Sequence, residues 1–151
     1  MQQREALGRS RGGFTTKIHL RIEGNGRPLT FLLTVGERHD SVMFEALMAQ
    51  GSVQGQKGRP RLRPKRVVAD KAYSSGKIRS YLRRRGIRYT IPRKANEHHQ
   101  GRFDPAIYRE RNLVERCFNR LKQFRRIATR YEKNADNYLA MLTIASILLW
   151  L

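Results

Sequence analysis

Between Asp104 and Phe124 the sequence DPAIYRERNLVERCFNRLKQF sets one carboxylate, Glu115, among two cations and a phenol. At about 100° per residue, Tyr108, Arg111, Glu115 and Lys122 fall within one narrow arc of a helix. Ile107, Val114, Cys117, Phe118 and Leu121 fill the arc beside them, so Glu115 stands at the rim of a face fit for burial. An acid held there, next to a guanidinium and an ammonium, suits contact with a metal ion or a phosphate. The same pattern has a plainer reading as a solvated helix face, in which Arg111 and Glu115 form an ordinary i,i+4 pair. A second acid, Asp70, follows the apolar run Val67–Ala69 in VVADKAY. At the carboxyl end of a strand in an α/β sheet, a side chain lines the ligand crevice. A lone Asp after a strand is also the common cap of the next helix.

The elements that must position these residues are legible in order. Asp104 as N-cap and Pro105 at the first helical position open a single helix running to about Phe124. Phe14–Glu23 alternates, with Ile18, Leu20 and Ile22 on one face and Lys17, His19 and Arg21 on the other. Gly24-Asn25-Gly26-Arg27 forms a turn, and Leu29–Val35 alternates again, which predicts an antiparallel hairpin. Asp40 or Ser41 caps a helix carrying Val42, Phe44, Ala46, Leu47 and Met48. Val67–Ala69 is a short buried strand. Ser74 or Ser75 starts a helix through Arg85 with Gly86 just past its end, and Ile87–Ile91 is another strand, stopped by Pro92. After a break near Thr129–Asn134, a last helix runs from about Ala135 to Leu149.

Two segments resist packing. Gly8–Gly13, within a basic lead-in at residues 1–13, reads as a phosphate-contacting or merely solvated arm. Gly51–Arg66 carries six basic residues, Lys57, Arg59, Arg61, Arg63, Lys65 and Arg66, in a loop broken by Gly and Pro. It suits either tracking of a phosphate backbone or a plain surface linker. His98-His99 lacks further ligands at metal spacing and reads as exposed loop. His39-Asp40 reads as a helix start, and no P-loop or dinucleotide-binding glycine pattern stands out.

Composition narrows the partner. With 32 Lys and Arg against 12 Asp and Glu, the 151 residues carry a formal net charge of +20, spread along the whole chain. Such a balance favours a polyanion, and it does not separate a binder from an enzyme. The single cysteine, Cys117, points to a reducing compartment and to a small buried hydrophobe. The closing apolar run Tyr138–Leu151 is shorter than the roughly twenty residues of a membrane span, so a core helix in a cytoplasmic, nucleoid-associated protein is expected.

The spacing Tyr108-x2-Arg111-x3-Glu115-x6-Lys122 resembles the Y-R-E-K signature of bacterial insertion-sequence transposases of the DDE class. GRSRGGFTTKIHL, ADKAY, NLVERCFNRLKQFRRIATRY and YLAMLTIASILLWL extend the resemblance from about Gly8 to Leu151. It implies an α/β fold: a ribonuclease H-like mixed sheet flanked by helices, over residues 14–151. It implies that Asp70 and Glu115 are the second and third acids of a metal-binding triad, with Mg2+ or Mn2+ as cofactor. Tyr108, Arg111 and Lys122 become DNA-contacting residues, and Arg59, Arg61 and Arg63 join them from the basic loop. Two ions roughly 3.5–4 Å apart would activate the attacking oxygen and stabilise the leaving one. Hard cations of this kind take carboxylate oxygens.

One departure from the family carries consequences. The first acid belongs on a strand ahead of the Phe14–Val35 hairpin. Glu5, Glu23, Glu37, Asp40 and Glu45, the acids before Asp70, do not stand on one. The sheet is then expected to lack its first, central strand, leaving edges exposed and the chain unstable or dependent on an upstream polypeptide. Strand transfer by the chain alone is expected to be very poor. The implied partners are double-stranded DNA at insertion-sequence ends and an upstream open-reading-frame product or full-length transposase, joined through frameshift fusion or a decayed gene. The competing reading is a non-catalytic DNA-binding regulator or inhibitor of transposition. A small RNA-binding protein ranks last, because the aromatics fall at core spacing.

Overall fold

The computed structural model describes residues 6, 8–10, 13–53, 58–98 and 103–151, and the chain divides into two compact units. The first comprises Met1–Arg38 and Leu113–Leu151, the second His39–Asn112.

In the first unit, β1 (Gly8–Ser10), β2 (Gly13–Ile22) and β3 (Pro28–Val35) form an antiparallel sheet in the order β1-β2-β3. The predicted hairpin is present, with Ile18 opposite Leu33 and Leu20 opposite Phe31. Its turn is fixed locally: Glu23 Oε1 accepts from the amides of Asn25 and Arg27, and Gly26 takes φ +84°, which a side chain would oppose. Part of the lead-in is a strand, since Gly8–Ser10 pairs with Gly13–Thr15. The inward faces of β2 and β3 pack on α4 (Asn112–Lys122), α5 (Arg125–Ala128) and α6 (Ala135–Trp150). Phe31, Cys117, Leu121, Ile127, Tyr138 and Leu142 form this core. Burial pushes the Cys117 thiol up, against a smaller opposing effect of Arg120, so it stays a protonated core group. Asn134 caps α6 by accepting from the Asp136 amide. Trp150 Nε1 donates to the Pro28 carbonyl at 2.8 Å, which ties the end of α6 to the hairpin.

The alternation itself does not report burial on the second face: His19, on the side opposite Ile18, Leu20 and Ile22, is 2% exposed, with Nε2 2.8 Å from Thr34 Oγ1.

The second unit holds α1 (Asp40–Met48), the parallel pair β4 (Arg66–Val68) and β5 (Arg88–Thr90), α2 (Gly76–Arg84), and α3 (Pro105–Tyr108). Phe44, Met48, Ile78, Tyr81, Leu82, Ile87 and Ile91 are its core. The α1 N-cap is His39, without a side-chain bond, so Asp40 belongs to the first turn and is not the cap. Val68 ends the strand one residue earlier than predicted, and β4 is half-buried. Helix α2 behaves as its sequence dictates. Ser75 Oγ accepts from the Ile78 amide, and Gly86 sits at φ +62°. The Gly86 and Ile87 amides return to the carbonyls of Arg83 and Leu82 at 2.9 Å each, a Schellman closure. A Cβ on Gly86 would meet nothing nearer than Arg63 Nη2 at 4.0 Å, so the cost of Gly86→Ala is conformational. We expect a loss of about 1–2 kcal/mol, read as a lower urea midpoint with an unchanged denaturant slope.

Together the units give an α/β protein with small sheets and helices. In place of one mixed sheet, the described strands form a three-stranded antiparallel and a two-stranded parallel sheet. Among the described residues, no helix is long and apolar enough to cross a membrane.

Candidate active site

Asp70 stands at the carboxyl end of β4, half-buried, in the second unit. Its plainer role is realised: Oδ1 accepts from the Ala72 amide at 2.9 Å and caps the 3-10 turn Lys71–Tyr73. That bond fixes the carboxylate's position while engaging one of its two oxygens. Tyr73 is largely buried against Phe44, with ring centroids 5.9 Å apart. Burial first, then the carboxylate of Asp40, then that of Asp70, drive the Tyr73 phenol well above its ordinary range. The second unit thus has two acids acting on one neutral phenol. The sequence offered Asp40 only as a helix start, and nothing in its spacing from Asp70 signals this arrangement.

Glu115 lies in the first turn of α4, exposed, in the first unit. Lys122 ends the same helix, also exposed. The single helix expected from Asp104 to Phe124 is broken into α3, a 3-10 turn at Arg109–Arg111, and α4. Asp104 is the predicted N-cap, accepting from the Ala106 and Ile107 amides, with Pro105 directly after it. A 3-10 residue turns the chain about 120° against 100° in an α-helix. Three such residues therefore break the uniform phase that put Tyr108, Arg111, Glu115 and Lys122 on one arc. Tyr108 and Arg111 do meet: the Arg111 guanidinium lies 5.9 Å from the Tyr108 ring centroid, and Phe103 packs on that ring at 5.3 Å.

In the basic loop, Arg59, Arg61 and Arg63 are exposed, and Lys57 lies outside the described residues. Val53 and Arg61 exchange paired backbone bonds of 2.8 Å. Of the two adjacent histidines, His98 is exposed and His99 is outside the described residues.

A divalent cation would find donors of the right type in Asp70 and Glu115, since hard ions take carboxylate oxygen. The count within a unit falls short. Among the described residues, no group of three or more His, Cys, Asp or Glu side chains is placed to hold a metal. The Asp70 and Glu115 carboxylates belong to different units, one to each.

The family model described as Transposase DDE domain matches residues 3–150. The chain is 34% identical over 135 residues to the putative transposase for insertion sequence element IS402 of Burkholderia cepacia, covering 89% of this chain and 62% of that protein. It is 30% identical over 139 residues to the putative transposase for insertion sequence element IS6501 of Brucella ovis, covering 91% of this chain and 98% of that one. The chain therefore spans less than two thirds of the first relative's length and nearly all of the second's. No solved structure matches it significantly. With its helix starts at Asp104 and Ser75, its acid after β4 and a family match over almost every residue, the chain belongs to the transposase DDE-domain family.

Proposed function

We propose that the chain is the catalytic-domain portion of a DNA transposase that supplies two of three acids to metal-dependent strand cleavage and transfer. The observation that supports this most is Asp70, held by the Ala72 amide at the end of β4 within a chain matched from residue 3 to 150 by the DDE-domain family. In this reading Asp70 and Glu115 ligate Mg2+ or Mn2+, and the bound ions supply activation of the attacking oxygen and stabilisation of the leaving one. Tyr108, Arg111 and Lys122 position DNA at the insertion-sequence ends, and Arg59, Arg61 and Arg63 hold its backbone.

The first acid comes from a strand preceding the hairpin, in the same polypeptide or a separate upstream product, which completes a ribonuclease H-like sheet. Two features of the strands leave room for it. Among the described strands β4 pairs only with β5, and β1 covers β2 only at Gly13–Thr15. The setting is the cytoplasm, at the nucleoid. The competing reading is a regulator that occupies element ends without chemistry, which the net charge of +20 also suits.

A complementation assay separates the two readings. With Mg2+ and DNA bearing element ends, the 151-residue chain is expected to cleave negligibly. Fusion to an upstream segment carrying an acid on an apolar strand is expected to restore cleavage. Efficient cleavage by the chain alone would refute the two-acid reading. DNA binding without cleavage in every fusion would favour the regulator.

A further inference from the structure

Within the second unit, the end of α2, strand β5 and the start of α3 border an open groove of about 580 Å3. Arg66, Arg83 and Arg88 line it with Tyr89 and Gly86, and Asp104 is the acid among the residues lining it. That acid is already engaged, its Oδ1 accepting from two α3 amides. Arg83 and Arg88 are exposed, while Arg66 is half-buried with Nη1 3.4 Å from Thr90 Oγ1. The guanidinium of Arg63 reaches toward Gly86 and extends the basic lining into the loop. No periodicity links these arginines: Arg83 and Arg88 read as ordinary helix-end and strand-edge charges.

Three arginines bordering one concavity concentrate positive charge there, which favours an anion in the groove. A guanidinium fork matches two phosphate oxygens at once. An open, charged trough suits a continuous polyanion passing through it better than an enclosed small molecule. We propose that this groove binds the phosphodiester backbone of duplex DNA, with Arg83 and Arg88 contacting phosphate oxygens and Arg66 lining the groove from the strand position paired with Arg88. The proposal rests on the reading of the chain as a DNA-acting transposase domain. It assigns the second unit a backbone contact beyond the loop and the Tyr108–Lys122 signature.

The test uses the full chain and a short fluorescein-labelled duplex, with affinity followed by anisotropy across a salt series. Each phosphate contact contributes about 0.9 to the slope of log K against log salt. Arg83→Ala/Arg88→Ala should therefore lower that slope by about two contacts' worth. Arg38→Ala/Arg125→Ala, an equal loss of exposed charge from the first unit, should change it by less than one contact. Arg83→Lys/Arg88→Lys, which keeps both charges, should recover most of the slope. If wild type binds and the groove variant keeps the wild-type slope, or loses no more than the control, the groove assignment falls while the transposase reading stands. If wild type fails to bind duplex DNA, both fall.

Discussion

Asp70→Asn and Glu115→Gln are each expected to abolish cleavage by the completed transposase while leaving its affinity for duplex DNA nearly unchanged. Both substitutions keep side-chain shape and remove a charge. Asparagine retains an oxygen able to accept from the Ala72 amide, so the 3-10 turn after β4 stays capped. Glu115 is exposed on α4, where glutamine is an equally good helix former. Folding should therefore be spared, and the loss should fall on the chemistry. A metal ion supplies several kcal/mol of transition-state stabilisation, and each 1.36 kcal/mol is tenfold in rate. A drop of about a thousandfold or more is expected from either variant. The double variant should be scarcely worse than either single one, because in the proposed reading both acids act on the same ions. A regulator that only occupies DNA would have no cleavage to lose, and removing a negative charge would leave its binding unchanged or tighten it. Single-turnover cleavage and anisotropy on the same preparations distinguish these outcomes. Cleavage within tenfold of wild type in either variant would remove that residue from the site.

What the sequence made legible is mostly local. Asp104-Pro105, Ser75 and Gly86 announce helix ends because capping depends on residue type at one or two positions, and all three stand where the spacing put them. The hairpin was legible for a similar reason: its turn is closed by Glu23 and Gly26 within a few residues. Features set by tertiary packing were not. The 3-10 interruption at Arg109–Arg111 falls in a segment of good helix formers without Gly or Pro, so no local signal marked it. His19 alternates correctly on β2 and is buried all the same. Asp40 and Tyr73 act together with Asp70 through the packing of α1 on the turn after β4, which no spacing in one chain encodes. Asp70 and Glu115 stand out as candidates by type and by resemblance. Their roles depend on what they face, and residue type does not specify that.

Glu97→Ala is expected to destabilise the second unit by about 2–3 kcal/mol, although Glu97 lies in a loop outside the regular elements. The reason is Arg79. Its guanidinium is buried in α2, 7% exposed, and Nη2 donates to Ser74 Oγ at 2.7 Å and to Glu97 Oε2 at 3.2 Å. Ser74, itself 1% exposed, donates its hydroxyl to the same Oε2 at 2.6 Å. The Ile91 and Pro92 carbonyls stand at 3.5 Å, too far to take over the charge. Removing the carboxylate therefore strands a buried cation, which costs more than the bond it loses. Glu97→Gln keeps an acceptor for Ser74 and should cost roughly half as much. Arg79→Lys retains the charge without the geometry to serve Ser74 and Glu97 together, and should also destabilise. The Ser74 hydroxyl first, then Arg79, hold the Glu97 carboxyl below its ordinary range against partial desolvation. A carboxyl depressed by folding stabilises the folded state above its unfolded pKa, near 4.5, and loses that contribution as pH falls through the folded value. Urea midpoints should thus decline below about pH 4.5 in wild type. In Glu97→Gln this component of the decline should vanish, so the two curves converge toward acid. Parallel curves, displaced by a constant at every pH, would mean that Glu97 acts through packing and not through its charge on Arg79.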